Sequence, residues 1–410
     1  MKVFLPADMM LPQVESIEKW AVIACDQFTS QPEYWERVRE KTGKEPSALE
    51  LILPEAVLAE DNQVRIEKIH DTMDAYLRND IFKTFKKSYI YVERKLSNGS
   101  VRKGLVGVVD LEAYDYHIEN SAAVRVTEKT VEERIPPRMK IRQGASLELS
   151  HVLLLCDDEE RIVIESLSER KEVLPKLYDF ELMEGGGHIE GWLVQGEAVD
   201  ETQRRLERYA RRMADKYPEG ANILFAVGDG NHSLASAKAC YEELKKKYPD
   251  RDFQHHPARY AMVELENIHD EVQQFEAIHR IVKKTNPEEL LTRLQEKICA
   301  EEGDVVTWYA GERSGTIILK KEEGELPIGV LQQFLDEYLA EHAGRIDYIH
   351  GDDTLKELAC EEGAIGFLLP ALKKERLFKE IILDGVLPRK TFSMGHAREK
   401  RYYLEARKIR

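Results

Sequence analysis

The chain has 410 residues, of which 42% are hydrophobic and 33% charged, enough to bury a sizeable core in two or three domains and too polar for a chain of membrane spans. Its formal net charge of −16 opposes binding to nucleic acid phosphates and to anionic membrane surfaces, so the expected partners are small molecules, with no nucleic acid and no membrane. Five cysteines without a C-x-x-C pair predict reduced thiols and no cysteine-built zinc site, and the opening MKVFLPADMMLPQ lacks a signal-peptide pattern, which points to the cytoplasm.

Near the start, KWAVIACDQFTSQPEYWERVRE joins an apolar run, Ala21 to Cys25, to a polar turn and a predicted helix from about Pro32. Proline suits the first turn of a helix and Ser30 is a candidate cap, which leaves Asp26 as the first acidic candidate for chemistry. Residues from about Ser47 to Asn79 read as helical with an interruption at Pro54. From Ser88 the pattern alternates, and Asn98-Gly99 predicts the turn of an antiparallel hairpin. The following segment sets Arg125, Lys129, Arg134, Arg138, Lys140 and Arg142 around Pro136-Pro137, read as a stiff, extended loop. Arginines presented in this way match a phosphate or carboxylate with parallel hydrogen bonds, and Arg138 and Arg142 are the candidates.

His151 opens the strand-like HVLLLCDDEERIVIES, whose Asp157-Asp158 turn is expected to join two strands. MEGGGHIEGWLV reads as a glycine-rich turn entering a strand, without the phosphate-loop pattern. An exposed helix is predicted over Asp200 to Tyr217.

Then comes ILFAVGDGNHSLASAKACYEEL, a buried strand, a tight polar turn and an amphipathic helix. Asp229, Gly230, Asn231, His232 and Ser233 fall at the helix N-terminus, where N–H donors and the positive dipole end favour an anion such as phosphate; a simple helix cap is the competing reading. Farther on, a strand from Ala258 to Glu264 is followed by FEAIHRIV, which holds His279 and Arg280. The fold class is therefore α/β (mixed α+β). The main region is expected over 1–285, an inserted αβ lobe over 286–346, and a C-terminal segment, 347–410, returning to the main region. In that last segment Lys390, Thr391, Ser393, His396, Lys400 and Arg401 either line an anion site or form a solvated basic tail.

The phrases WAVIACDQFTSQPEYW, AVRVTEKTVEERIPPRMKIR, AVGDGNHSLA, FEAIHRIV and LPRKTFSMGHAREKRYYLE, in that order, resemble the DUF1015 family across essentially the whole chain. The turn at Asp229 is similar to that family's Asp-Gly-His-His-Arg motif, itself similar to the turns that contact nucleotide phosphates in the ParB-like, sulfiredoxin-like and free serine kinase group. Here Asn231 stands where the first His is expected and Ser233 where the Arg is expected, so the phosphate-gripping cation is expected from elsewhere, with Arg138, Arg142 or Arg280 as the obvious substitutes.

The resemblance implies a ParB/sulfiredoxin-like nucleotide-binding core elaborated with additional sheet and helices. It implies a small-molecule kinase that uses ATP or ADP with Mg²⁺ and acts on free serine or a similar hydroxy amino acid, with a phosphoserine-type phosphatase or a nucleotide-binding regulator as alternatives. Asp26, Asp229 and His232 take the catalytic roles on this reading, Asp229 also holding Mg²⁺. Gly230, Asn231, Ser233, Glu128, Arg138, Arg142, His279, Arg280, Lys390, Thr391 and His396 contact phosphate or ligand.

Overall fold

Among the described residues, apolar segments from the first part of the chain, together with one from its C-terminal end, assemble into a mixed 13-stranded sheet. In the computed structural model, which describes residues 2–58, 62–118, 120–220, 222–320 and 326–410, the chain is a mixed α/β protein. It forms two compact units, one running to Gln273 and including His396–Arg410, the other Gln274–Gly395.

In the first unit the long hairpin Phe82–Lys95 and Val101–Asp110 pairs antiparallel about the Asn98-Gly99 turn, where Gly99 takes a φ of 84°. On one side of the hairpin the sheet continues through Tyr260–Asn267, Leu153–Cys156, Phe225–Asp229 and Val124–Val126. On the other it continues through Ala7–Pro12, Ala406–Lys408 and Leu147–Leu149. The chain's two ends thus meet in one sheet, and Trp20, fully buried, donates its indole N–H to the Leu404 carbonyl at 3.1 Å. A separate two-stranded ladder pairs Tyr402 with Ile23 and Tyr403 with Val22.

Several expectations change. Pro136 and Pro137 do not hold an extended loop; they occupy the first turn of the helix Ile135–Arg142, where a missing backbone N–H costs no helical hydrogen bond. The helix after Asp26 does start at Pro32, but its cap is Gln31 rather than Ser30. Pro54 divides 47–79 into the short 3₁₀ turns Ala48–Leu51 and Glu55–Val57 and the helix Gln63–Arg78, while 59–61 lie outside the described residues. The Asp157-Asp158 turn leads into the short helix Glu165–Ser168, not into a second strand.

In the second unit, Phe275–Lys283 is the strand around which a 6-stranded sheet forms, pairing with Arg345–His350, Ile365–Leu368 and Phe392–Met394. Residues 286–346, read from the sequence as an inserted lobe, hold the helix Pro287–Ile298, the hairpin Gly303–Ala310 and Arg313–Lys320, and the helix Pro327–Glu341. Gly303–Ala310 pairs with Ile365–Leu368, so these elements fall within the unit Gln274–Gly395, and His396–Arg410 belongs to the first unit.

Behind the first unit's sheet lies a buried ionic layer. Glu266 is fully buried; its Oε1 lies 3.0 Å from Arg102 Nε but is not aligned as a hydrogen bond. Burial raises its carboxyl from 4.5 to about 7 against the opposing pull of Arg102, with Glu264 adding to the rise. The folded state therefore holds a proton that the unfolded chain releases, and the associated stability, complete below the unfolded value, is lost as pH rises through about 7. We expect the urea midpoint of wild type to fall more steeply between about pH 5 and pH 8 than that of Glu266→Gln, whose side chain stays neutral; parallel slopes would contradict this.

Candidate functional site

The strand Phe225–Asp229 is buried along its apolar length, and Gly230, with φ of 79°, turns the chain directly into the 17-residue helix Asn231–Lys247. The polar turn is thus one residue long, and Asn231, His232 and Ser233 already form the helix's first turn. A Cβ on Gly230 would sit 3.0 Å from Val152 Cα, so glycine is required both by the left-handed conformation and by this close approach.

Strand register decides what else reaches this helix end. Phe225–Asp229 runs antiparallel to Leu153–Cys156, with Asp229 opposite Leu153, which brings His151 to the same edge. It runs parallel to Val124–Val126, and Thr127 Oγ1 donates to the Val227 carbonyl at 2.8 Å, so Glu128 lies at that edge too. The ladder of 22–23 with 402–403 brings together the segments that carry Asp26 and Lys400, with the Ala24 N–H donating to Arg401 O at 2.9 Å.

Asp229 Oδ2 lies 3.1 Å from Lys400 Nζ, and Oδ1 accepts the Gly230 N–H at 3.0 Å. Burial pushes the Asp229 carboxyl up, but Lys400, the His151 ring and the Gly230 N–H outweigh it and hold the group below the ordinary carboxylate value. His151 is buried; its Nδ1 is 2.7 Å from Tyr403 Oη, and its Nε2 is 3.2 Å from Ser233 Oγ and 3.7 Å from Asp26 Oδ2.

Ser233, His151 and Tyr403 lie on the wall of a cavity of about 150 Å³ whose floor is apolar, with Leu51, Leu53, Met73, Leu147 and Met262 among its lining. Arg138 and Arg142 also line it, as the sequence suggested, but each already has a carboxylate partner: Glu55 for Arg138, and for Arg142 the buried Glu148, which Arg407 shares. Burial pushes Glu148 up and the two guanidiniums more than reverse this, keeping it ionised. Cys25 lines the same wall, its thiol raised to about 12 by burial and by Asp26; all five cysteines are unpaired by disulfides.

The remaining sequence candidates fall as follows. Asn231 Oδ1 is enclosed and makes no hydrogen bond. His232 Nε2 accepts the Val131 N–H at 3.2 Å, which spends that nitrogen's lone pair and ties the helix to the arginine-bearing segment. His396 is exposed and starts the turn Ala397–Glu399, where its N–H donates to Glu399 at 2.9 Å.

His279, Arg280, Lys390 and Thr391 belong to the second unit. There Arg280 is fully buried and donates to the carbonyls of Lys390 at 2.8 Å and Arg389 at 2.6 Å, pinning the turn that carries Lys390 and Thr391. His279 Nδ1 accepts the Leu369 N–H at 3.1 Å while Nε2 faces Asp352 at 3.0 Å; burial lowers its pKa against the pull of Asp352. These contacts hold the second unit together, and Lys400 is the cation beside Asp229 in the first.

His151 and Tyr403 carried no motif of their own, and only the pairing of distant strands identifies them. Elsewhere Asp157, Glu159 and His269 bring ligand atoms within 4.8 Å of one another, but Lys216 bonds Asp157 at 2.7 Å and Glu159 at 2.6 Å, so an ammonium already supplies the positive charge there.

This edge defines a mixed α/β protein with an ionised aspartate, a lysine and a histidine–serine pair gathered at one helix N-terminus beside a cavity. The family model described as "Protein of unknown function (DUF1015)" matches residues 7–408, and the chain belongs to that family. A mutant free serine kinase in complex with AMP aligns at 14% identity, TM-score 0.38, over 74% of this chain and 91% of the kinase. A complex of such a kinase with ADP aligns at 13%, TM-score 0.38, with coverages of 74% and 91%. C-terminally truncated SbnI from Staphylococcus aureus aligns at 12%, TM-score 0.37, over 71% and 82%. These are partial likenesses. No curated protein matches the chain, and among the described residues no helix is long and apolar enough to cross a membrane.

Proposed function

We propose that this chain transfers a phosphoryl group between a nucleotide, ATP or ADP, and a small hydroxylic substrate, free serine or a similar hydroxy amino acid. The observation that carries the reading is the ionised Asp229 beside Lys400 at the N-terminus of the helix Asn231–Lys247, within the turn that resembles a phosphate-contacting motif. Helix geometry leaves the first N–H groups without intrahelical acceptors, and together with the dipole they suit phosphate oxygens. Lys400 takes the place of the arginine that the motif here replaces with Ser233, which answers the need for a cation without drawing on Arg138, Arg142 or Arg280.

Asp229 offers a hard carboxylate oxygen, with Glu128 at the neighbouring strand end. A Mg²⁺ ion held chiefly by substrate phosphates would share the Asp229 carboxylate with Lys400 and would neutralise phosphate charge. His151, with Asp26 at 3.7 Å, is placed to receive the proton of an attacking hydroxyl.

Thermal shift against ATP, ADP, serine and phosphoserine, each with and without Mg²⁺, tests this. The expected result is a raised melting temperature with nucleotide plus Mg²⁺ that disappears in Asp229→Ala, because a ligand bound only by the folded state stabilises it. A shift with phosphoserine and none with any nucleotide would favour a phosphatase and count against the proposal.

A further inference from the structure

Ser233 departs from the usual behaviour of a helical serine. In the same helix Ser236 Oγ bonds back to the His232 carbonyl at 2.7 Å, the local contact expected of a hydroxyl in a helix. Ser233 Oγ instead faces the Nε2 of His151, a residue 82 positions away, at 3.2 Å. His151 is itself held through its other nitrogen, 2.7 Å from Tyr403 Oη. A hydroxyl, an imidazole within reach of it, and a third group orienting that imidazole are the parts of an activated nucleophile.

Tyr403 Oη accepts the Cys25 N–H at 3.2 Å and keeps a second lone pair toward His151 Nδ1. In the tautomer that serves as base, His151 Nδ1–H donates to that oxygen and Nε2 is the acceptor that faces Ser233. Asp26 Oδ2, 3.7 Å from Nε2, stabilises the imidazolium that forms when the proton arrives. Ser233 is also in the first turn of a 17-residue helix, on the cavity wall, where negative charge developing on an attacked phosphorus is favoured by the helix dipole.

We propose that Ser233 is a nucleophile, activated by His151 and oriented through Tyr403, that carries the phosphoryl group as a phosphoserine between donor and acceptor. This inference rests on the phosphoryl-transfer reading above. In the first half-reaction Ser233 Oγ attacks the terminal phosphorus of ATP or ADP, the Oγ–P bond forms, the bond from that phosphorus to the bridging oxygen breaks, and the serine proton passes to His151 Nε2. The nucleotide leaves one phosphate shorter. In the second, the acceptor hydroxyl attacks the same phosphorus, the Oγ–P bond breaks, and the acceptor's proton and the one held by His151 end on Ser233 and the solvent.

Two measurements on the full-length protein separate the outcomes. The first is peptide mass spectrometry of wild type after incubation with ATP or ADP and Mg²⁺, alongside nucleotide turnover in wild type and Ser233→Ala. The second is labelling by a fluorophosphonate, which reacts with base-activated serines whether or not nucleotide is a substrate. The expected results are a phosphoryl mass on the Ser233 peptide, loss of turnover in Ser233→Ala, and fluorophosphonate labelling that slows about 10²–10⁴-fold in His151→Ala. Tyr403→Phe should shift the pH profile of labelling, which a purely structural tyrosine would not do, and melting curves confirm that each variant is folded. Turnover persisting in Ser233→Ala without a label overturns the covalent step and leaves phosphoryl transfer standing. Labelling of Ser233 without turnover of any nucleotide overturns phosphoryl transfer and leaves the activated serine.

Discussion

Replacing Arg401 with Met is expected to destabilise the first unit by about 3–5 kcal/mol, the range for breaking a buried ionic network from one side. Arg401 is 4% exposed and bonds three partners: the Ser150 carbonyl at 2.9 Å, Glu264 and Glu405. Burial alone would lower its pKa, but the two carboxylates raise it well above the ordinary arginine value, so the charge is present at all accessible pH. Methionine fills much of the volume and leaves two buried carboxylates without a cation. A urea titration monitored by tryptophan fluorescence measures the loss. The triple variant with Glu264→Gln and Glu405→Gln added should recover most of the midpoint, because the unpaired charges cause the loss rather than the missing guanidinium. No recovery would locate the effect in packing instead. The substitution also reaches the site, since Arg401 lies between Lys400 and Tyr403 and its carbonyl accepts the Ala24 N–H next to Asp26.

His151→Ala is expected to lower nucleotide turnover by about 10²–10⁴-fold, the usual cost of losing a general base, while His232→Ala leaves it within a few-fold of wild type. The two histidines differ in what their Nε2 atoms do. That of His232 accepts a backbone N–H from Val131, whereas that of His151 faces the Ser233 hydroxyl, with Asp26 at 3.7 Å from the same nitrogen. Serine-dependent conversion of ATP or ADP and release of phosphate from phosphoserine would both be followed. Equal losses in the two variants would return the proton-transfer role to His232, where the motif alone had suggested it.

Local chemistry was readable directly from the residues. The apolar run before Asp229, the glycine at the turn, the Asn98-Gly99 hairpin and the helix beginning at Pro32 follow from side-chain periodicity and backbone conformational preference, which act over a few residues. The mixed α/β class and the family resemblance were legible for the same reason, as both rest on contiguous segments. Proline misled where its two uses compete: the Pro136-Pro137 pair suits an extended loop and a helix's first turn equally well, and the tertiary setting of Ile135–Arg142 selected the helix. The division into units depended on strand pairing across long separations, which no local pattern encodes.

The same holds more strongly for the candidate site. Asp229, Ser233 and Asp26 announced themselves by standing at strand–helix junctions. His151 reads in sequence as the first residue of an apolar strand, Tyr403 as one aromatic near the C-terminal end, and Lys400 as one of several residues that either line an anion site or form a solvated basic tail. They converge because Leu153–Cys156 pairs antiparallel with Phe225–Asp229 and because 402–403 pairs with 22–23, and a one-residue slip in either ladder would turn these side chains to the opposite face. What the residues determined alone was the chemistry available at each turn. Register and burial decided which of those groups meet, which arginines are already paired, and which histidine faces a hydroxyl.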